Sequence, residues 1–228
     1  SISYFLEDYG KNMGAKCPSL VVPNGVDFKY FSQKPTSGQI KALQNELGID
    51  AFDTVLITTS RLVNKNGVGD IIDSMTYLRE EVKLIILGTG PLDKLLKEKT
   101  ALLGLEKRIR FVGFVSHKEM PLYLHSSNIF VRPSLSEGMG VSFIEAMATD
   151  LPVIATPVGG IIDFLIDGET GLFCEVKNPE SIAEKVEKLM KDVELREFII
   201  KNAREMVKVK YDWNLIAREM GGVFERLS

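Results

Sequence analysis

Two glutamates, Glu137 and Glu145, stand eight residues apart in the segment PSLSEGMGVSFIEAMA. The glycines at 138 and 140 mark a loop, and the residues after them read as a helix. A loop entering a helix leaves free backbone N–H groups at the positive end of the helix dipole, which attract anions. Glu145 falls about one turn inside that helix. Three helical residues rise about 4.5 Å, close to the offset between a phosphate at the helix end and a ribose beside it. A carboxylate there would accept hydrogen bonds from vicinal hydroxyls, as the acidic residue of a dinucleotide site does. The plainer alternative is that both glutamates only cap and solvate the helix.

Two other loops carry related chemistry. Arg61 and Lys65 are four residues apart in SRLVNKNG, directly after an apolar run. Two cations so spaced at the end of a strand could clasp a diphosphate, or they could be an ordinary solvated pair. The segment LGTGP holds Gly88 and Gly90, the start of a G-x-G-x-x-G nucleotide loop whose third glycine is replaced by Asp93. A lone G-x-G is weak, and a tight turn into a helix explains it equally well. There is no D-x-D pair, no P-loop and no G-x-S-x-G elbow. Phosphate charge would therefore be met by Arg61, Lys65 and the helix end.

These loops need a scaffold, and the chain supplies one. Apolar, β-rich runs at 19–23, 54–60, 82–87, 109–112, 128–131, 151–155 and 171–174 fit strands buried on both faces. Helical patterns lie between them. One covers 68–78, and one covers 91–103 with Pro91 at its first position. A Ser116/Glu119 capping box precedes PLYLHSS. Asn178 then Pro179 opens a helix towards Met190, and helices at 194–209 and 213–227 follow, the last capped by Asp212. Strand alternating with helix predicts an α/β fold, a Rossmann-like doubly wound parallel sheet. Such sheets bind ligands at the carboxyl ends of their strands, where all three loops fall.

Composition narrows the function. The 228 residues are 45% hydrophobic and 26% charged, enough for a core that needs no disulfide or metal staple. A net charge of −3 argues against non-specific binding of nucleic acid, which takes many cations. Cys17 and Cys174 read as reduced, mostly buried thiols in a cytoplasmic protein. His117 and His125 have no ligand-spaced partners, so no metal site is expected. No apolar run reaches the ~18 residues of a membrane span.

The motifs together resemble a known family. SRLVNKNGV, LIILGTGPL, FVGFVSHKEMPLYL, the E-x7-E segment, LPVIATPVGG and DGETGLF occur in the order found in the carboxyl-terminal domain of retaining glycosyltransferase family 4. That family has the two-domain GT-B fold, and the resemblance runs from about Val21 to Leu227. It implies that the domain holds a nucleoside-diphosphate sugar, with Glu137 facing the sugar. The amides around Gly138, Met139, Gly140, Val141 and Ser142 would meet the sugar and diphosphate, and Glu145 the ribose. Arg61 with a nearby lysine would hold the diphosphate, and the Val115 backbone and the Gly88–Gly90 loop would touch the base. Two departures stand out. The family's diphosphate lysine directly precedes the loop glycine, a place taken here by Asn66, with Lys65 one earlier. Asp150 stands where the family mostly has glycine, and Asp tolerates a left-handed backbone better than most.

The resemblance divides the chain into a remnant of the amino-terminal acceptor domain and linker (1–18), the donor-binding domain (19–210) and a helix packing towards the missing domain (211–228). The expected function is a retaining, metal-independent hexosyltransfer, with no cofactor beyond the donor. The acceptor, a sugar, lipid-linked or other glycan, would be held by the missing domain, which could also touch a membrane peripherally. A nucleotide-sugar epimerase of the same fold, or a non-catalytic nucleotide- or carbohydrate-binding module, are the alternatives.

Overall fold

The computed structural model describes residues 1–227; the last residue of the expected 211–228 segment lies outside them. Six strands form one sheet: β1 (Thr54–Thr59), β2 (Val82–Leu87), β3 (Ile109–Gly113), β4 (Ile129–Arg132), β5 (Val153–Ala155) and β6 (Leu172–Phe173). The order is β3-β2-β1-β4-β5-β6 and every pairing is parallel. The expected doubly wound sheet is present. Its order reverses between β1 and β4, and there the connections leave to opposite faces and open a crevice at the carboxyl edge.

Because strand side chains alternate, the sheet feeds two cores. Val55, Ile57, Ile85 and Phe130 point to one face. There they meet α3 (Ser37–Leu47), α6 (Met120–His125), α7 (Val141–Ala148) and α9 (Val193–Lys210). Leu56, Leu84, Ile86 and Ile154 point to the other. That face is covered by α4 (Val68–Ser74), α5 (Asp93–Leu102) and α8 (Pro179–Lys191). Phe130, Phe143 and Phe164 are fully buried and pack in sequence, edge-to-face and then tilted, with centroids 5.5 and 5.9 Å apart. Burying each such ring stabilises the fold by roughly 1.5–3 kcal/mol. The remaining helices are α1 (Tyr4–Asn12), α2 (Phe28–Phe31) and α10 (Trp213–Leu227).

Several expectations need correction. Residues 19–23 are not a strand: Pro18 and Pro23 bring no N–H, and the Val22 N–H donates to the Ser1 carbonyl at 2.8 Å instead. Pro91 is not the first residue of a helix. It sits in a turn closed by the Asp93 N–H on Gly90 O at 3.1 Å, and α5 starts at Asp93. The Ser116/Glu119 capping box does not form. The two side chains bond each other at 2.5 Å, and α6 begins only at Met120. Cys17 is exposed; only Cys174 is buried. Two helices were not anticipated. The longer, α3, carries a complete capping box between Thr36 and Gln39.

Asp150 does adopt a left-handed backbone, at φ 63°, and Arg204 and Lys34 neutralise its carboxylate. Asn178 caps α8 through the Ser181 N–H at 3.0 Å. Asp212 caps α10 by accepting from the Asn214 N–H at 2.9 Å. Among the described residues no helix is long and apolar enough to cross a membrane.

Candidate functional site

The site grows from the two loops that flank the reversal in strand order. After β1 the chain turns through Arg61 and a short 3-10 segment, Asn64–Asn66, that ends at Gly67 with φ 68°. A Cβ on Gly67 would lie 2.1 Å from the Pro133 carbonyl oxygen, so the β1 and β4 loops touch backbone to backbone. The Leu135 N–H donates to Lys65 O at 2.7 Å and fastens them. Arg61 and Lys65 are exposed, whereas Asn66 is buried and donates to Arg61 O at 2.6 Å. Asn66 thus supports the turn that presents both cations.

Ser60, Arg61, Asn64, Lys65, Asn66 and Arg132 line a cavity of about 660 Å³ at this crevice. Another cleft of comparable size, about 600 Å³, lies at the amino edge of the sheet, beside Thr54, His125 and Asp150. Its size does not recommend it, because open parallel sheets place ligands at the carboxyl edge.

Beyond β4, Glu137 and Gly138 lead to Gly140, which precedes α7 in a left-handed conformation, φ 83°. Among the described residues no side chain caps this helix; the Phe143 N–H donates to Gly140 O at 3.1 Å, and the earlier Val141 and Ser142 N–H groups are the ones a helix start offers to a ligand. Phe143 fixes the turn: a Cβ on Gly140 would meet its ring at 2.5 Å. The VGG of the following loop has a matching reason. The Gly160 N–H donates to Glu137 O at 3.0 Å, and a Cβ on Gly159 would sit 1.9 Å from that same oxygen. On the outer side, Leu6 of α1 packs against Gly138, and the buried Met139 sulfur accepts from the Asn24 N–H at 3.2 Å.

The Glu137 carboxylate does not stand free. Its Oε2 accepts from Arg132 Nη2 and its Oε1 from the Gly138 N–H at 3.1 Å, and the side chain is 11% exposed. Arg132 also donates through Nη1 to Ser142 Oγ at 2.7 Å. Burial pushes the Arg132 guanidinium below its usual pKa, while the adjacent Glu137 charge pulls it back up.

Glu145, one turn into α7, meets the loop that follows β3. His117 Nε2 lies 3.1 Å from its Oε1. Burial pushes the Glu145 carboxyl above the ordinary carboxylate range, and His117 offsets part of that rise. Val115 is buried two residues before His117. Gly88 and Gly90 press against the β1 loop: Cβ atoms there would lie 1.9 Å from Ser60 O and 2.4 Å from Leu62 O. The loops after β1, β2, β3 and β4 therefore all meet at one edge of the sheet.

Arg61 and Lys65 share a cavity, Glu137 and Ser142 share Arg132, and Glu145 pairs with a residue near Val115. The sequence reading missed Arg132 and His117 as the neighbour of Glu145; that Asn66 supports the turn before Gly67 is as expected. A signal for Arg132 was present. A charged residue closing the apolar run IFV immediately before a proline is out of place in a buried strand unless it faces a site.

Fold and site define the class: a Rossmann-like α/β domain with a cavity lined by Arg61, Lys65 and Arg132 at the point where strand order reverses. The glycosyl transferases group 1 family model matches residues 39–206, and the chain belongs to that family. An uncharacterised glycosyltransferase of Methanocaldococcus jannaschii is 29% identical over 207 residues, 90% of this chain and 53% of that protein. The alpha-monoglucosyldiacylglycerol synthase of Acholeplasma laidlawii is 30% identical over 196 residues, 82% of this chain and 48% of that protein. The crystal structure of Anabaena HepE in complex with UDP-glucose superposes with a TM-score of 0.93 at 24% identity, covering 99% of this chain and 63% of HepE. The chain spans about half the length of the curated relatives it matches. Its fold is that of one half of GT-B glycosyltransferases, as the motif order implies.

Proposed function

We propose that this chain is the donor-binding domain of a retaining glycosyltransferase that moves a hexose from a nucleoside diphosphate to an acceptor held elsewhere in the protein. The observation that carries the reading is the cavity lined by Arg61 and Lys65 beside the uncapped start of α7. A diphosphate needs fixed positive charge as it leaves, and preorganised cations with helix amides supply it without reorganisation. In this reading no metal ion takes part. Arg61 and Lys65 hold the diphosphate together with the amides of Val141 and Ser142. Glu145 accepts from the ribose hydroxyls, displacing the His117 contact, and the Val115 backbone and the Gly88–Gly90 loop border the base. Glu137 orients the sugar and is not a covalent nucleophile. The proteins similar to this chain support a nucleoside-diphosphate hexose as donor: HepE was crystallised with UDP-glucose.

The acceptor contacts lie outside this chain. A lipid acceptor is in keeping with the name of the Acholeplasma relative, an alpha-monoglucosyldiacylglycerol synthase. Tyr4, Phe5 and Tyr9 of α1 and Met220 and Phe224 of α10 are exposed apolar residues, which suits helices that pack against the rest of the protein. Titrating the chain with UDP, GDP and ADP tests the donor site, and one of them should bind. Product analysis of the complete protein with a labelled donor separates transfer from epimerisation. Absence of binding by all three nucleotides would end this reading.

A further inference from the structure

Arg132 is the last residue of β4, and the three residues before it, Ile129, Phe130 and Val131, are all buried. Arg132 is buried as well, with its side chain 10% exposed. A guanidinium in such a place is costly unless its donors are met and its charge is paired. Arg132 pairs its charge with Glu137, and its two terminal nitrogens touch three separate elements. Nη2 donates to Glu137 Oε2 and to Asn66 Oδ1 at 3.2 Å; Nη1 donates to Ser142 Oγ at 2.7 Å. Its Cζ lies over the Phe143 ring, 5.2 Å from the centre. Asn66 passes the connection on to Arg61 O. One side chain thereby ties the loop after β1, the loop after β4 and the first turn of α7.

Two donors in this place lack partners among the described residues. Arg132 Nε and Ser60 Oγ are both buried and unpaired, and both residues line the cavity that holds Arg61 and Lys65. Arg61 and Lys65 on the same wall suit an anionic ligand.

We propose that Arg132 is the positioning residue of the donor site, which holds Glu137 and Ser142 in their places before the nucleotide-sugar arrives. The inference rests on the donor-site reading above. It goes further in assigning the orientation of Glu137 to a fork-shaped cation on a neighbouring strand. Glu137 and Ser142 flank the helix end, so a side chain that fixes both sets the distance between the sugar-facing carboxylate and the phosphate-facing turn. A guanidinium reaches both at once because its donors lie in one rigid plane; an ammonium cannot.

The test uses the whole 228-residue chain, with UDP, GDP and ADP and with UDP-glucose, GDP-mannose and ADP-glucose as probes. The readout is the ratio of nucleotide to nucleotide-sugar dissociation constants. Arg132→Gln should lower that ratio roughly 10-fold or more, the size of one lost charge-assisted contact. Glu137→Gln should lower it similarly, and the double variant should add little to either. Arg132→Lys should restore the affinity for nucleotide but not the sugar-dependent part. A purely structural role would lower the melting temperature and leave the ratio unchanged, which would overturn the proposal, as would additive losses in the double variant. If Arg132→Gln does not fold, Arg132→Lys and Glu137→Gln give the same comparison. Failure of every nucleotide to bind the wild type ends the donor-site reading itself, whereas wild-type binding with an unchanged ratio in Arg132→Lys ends only the role of Arg132.

Discussion

Glu145→Gln tests the ribose assignment with the smallest change of shape, and stability and binding should move in opposite directions. The side chain is 13% exposed, and among the described residues its one polar contact is His117 at 3.1 Å. Burial pushes its carboxyl upward from the ordinary value of 4.5, and His117 offsets only part of this. A carboxyl whose pKa rises on folding stabilises the fold fully below its unfolded pKa. That contribution is lost as pH rises through the folded value. The ionised form of Glu145 is therefore a burden on the free protein that a neutral amide does not carry. The variant should melt at or above the wild type at pH 7, with the difference shrinking towards pH 4.5. Binding should fall. A hydrogen bond to a charged group is worth about 1.5–3 kcal/mol and a neutral one about 0.5–1.5 kcal/mol, so each ribose hydroxyl loses about 1–1.5 kcal/mol. Two hydroxyls give about 2–3 kcal/mol, roughly 30- to 150-fold in Kd. The assay is calorimetric titration of both proteins with whichever of UDP, GDP and ADP binds the wild type, beside its 2′-deoxy analogue. The wild type should favour the ribose form and the variant should not. An unchanged Kd in a folded variant, or a melting temperature clearly below wild type at pH 7, would refute the reasoning.

Other outcomes follow from the same geometry. Lys65→Ala and Arg61→Ala should each weaken nucleoside diphosphate roughly 10- to 150-fold while leaving nucleoside nearly untouched, since each removes one charge-assisted phosphate contact; equal losses for both ligands would argue against the phosphate role. Glu137→Ala should reduce nucleotide-sugar binding, and turnover of the complete protein, more than it reduces nucleotide binding. Gly67→Ala places a Cβ 2.1 Å from Pro133 O at φ 68°, so it should lower the melting temperature by at least about 2–4 °C and loosen nucleotide binding with it. A thiol reagent should label Cys17, which is exposed, and spare Cys174, whose thiol burial pushes up to about 12; labelling of both in the native state would contradict the packing around β6.

The alternation of apolar runs with helical patterns was sufficient to name the sheet, because a strand buried on both faces and an amphipathic helix each leave a periodic trace in the chain. The loops at 60–67, 88–91 and 133–140 were legible for the same reason, being breaks in that alternation rich in glycine and charge. Residues 19–23 had the composition of a strand but no ladder to join, and composition cannot show where a partner lies. The helix at Ser37–Leu47 was readable through Thr36 and Gln39, yet its apolar spacing is thin and only packing against the sheet makes it secure. What tertiary structure alone decided is the wiring of the site. Asn66 and Arg132 are 66 residues apart, and His117 and Glu145 are 28 apart. No periodicity links such positions; they meet because parallel strands deliver their carboxyl ends to one edge. The sequence by itself determined which charged groups arrive at that edge. The fold decided that Arg132 lies between Glu137 and Asn66, that Lys65 stays exposed while Asn66 is buried, and that Glu145 is enclosed beside His117.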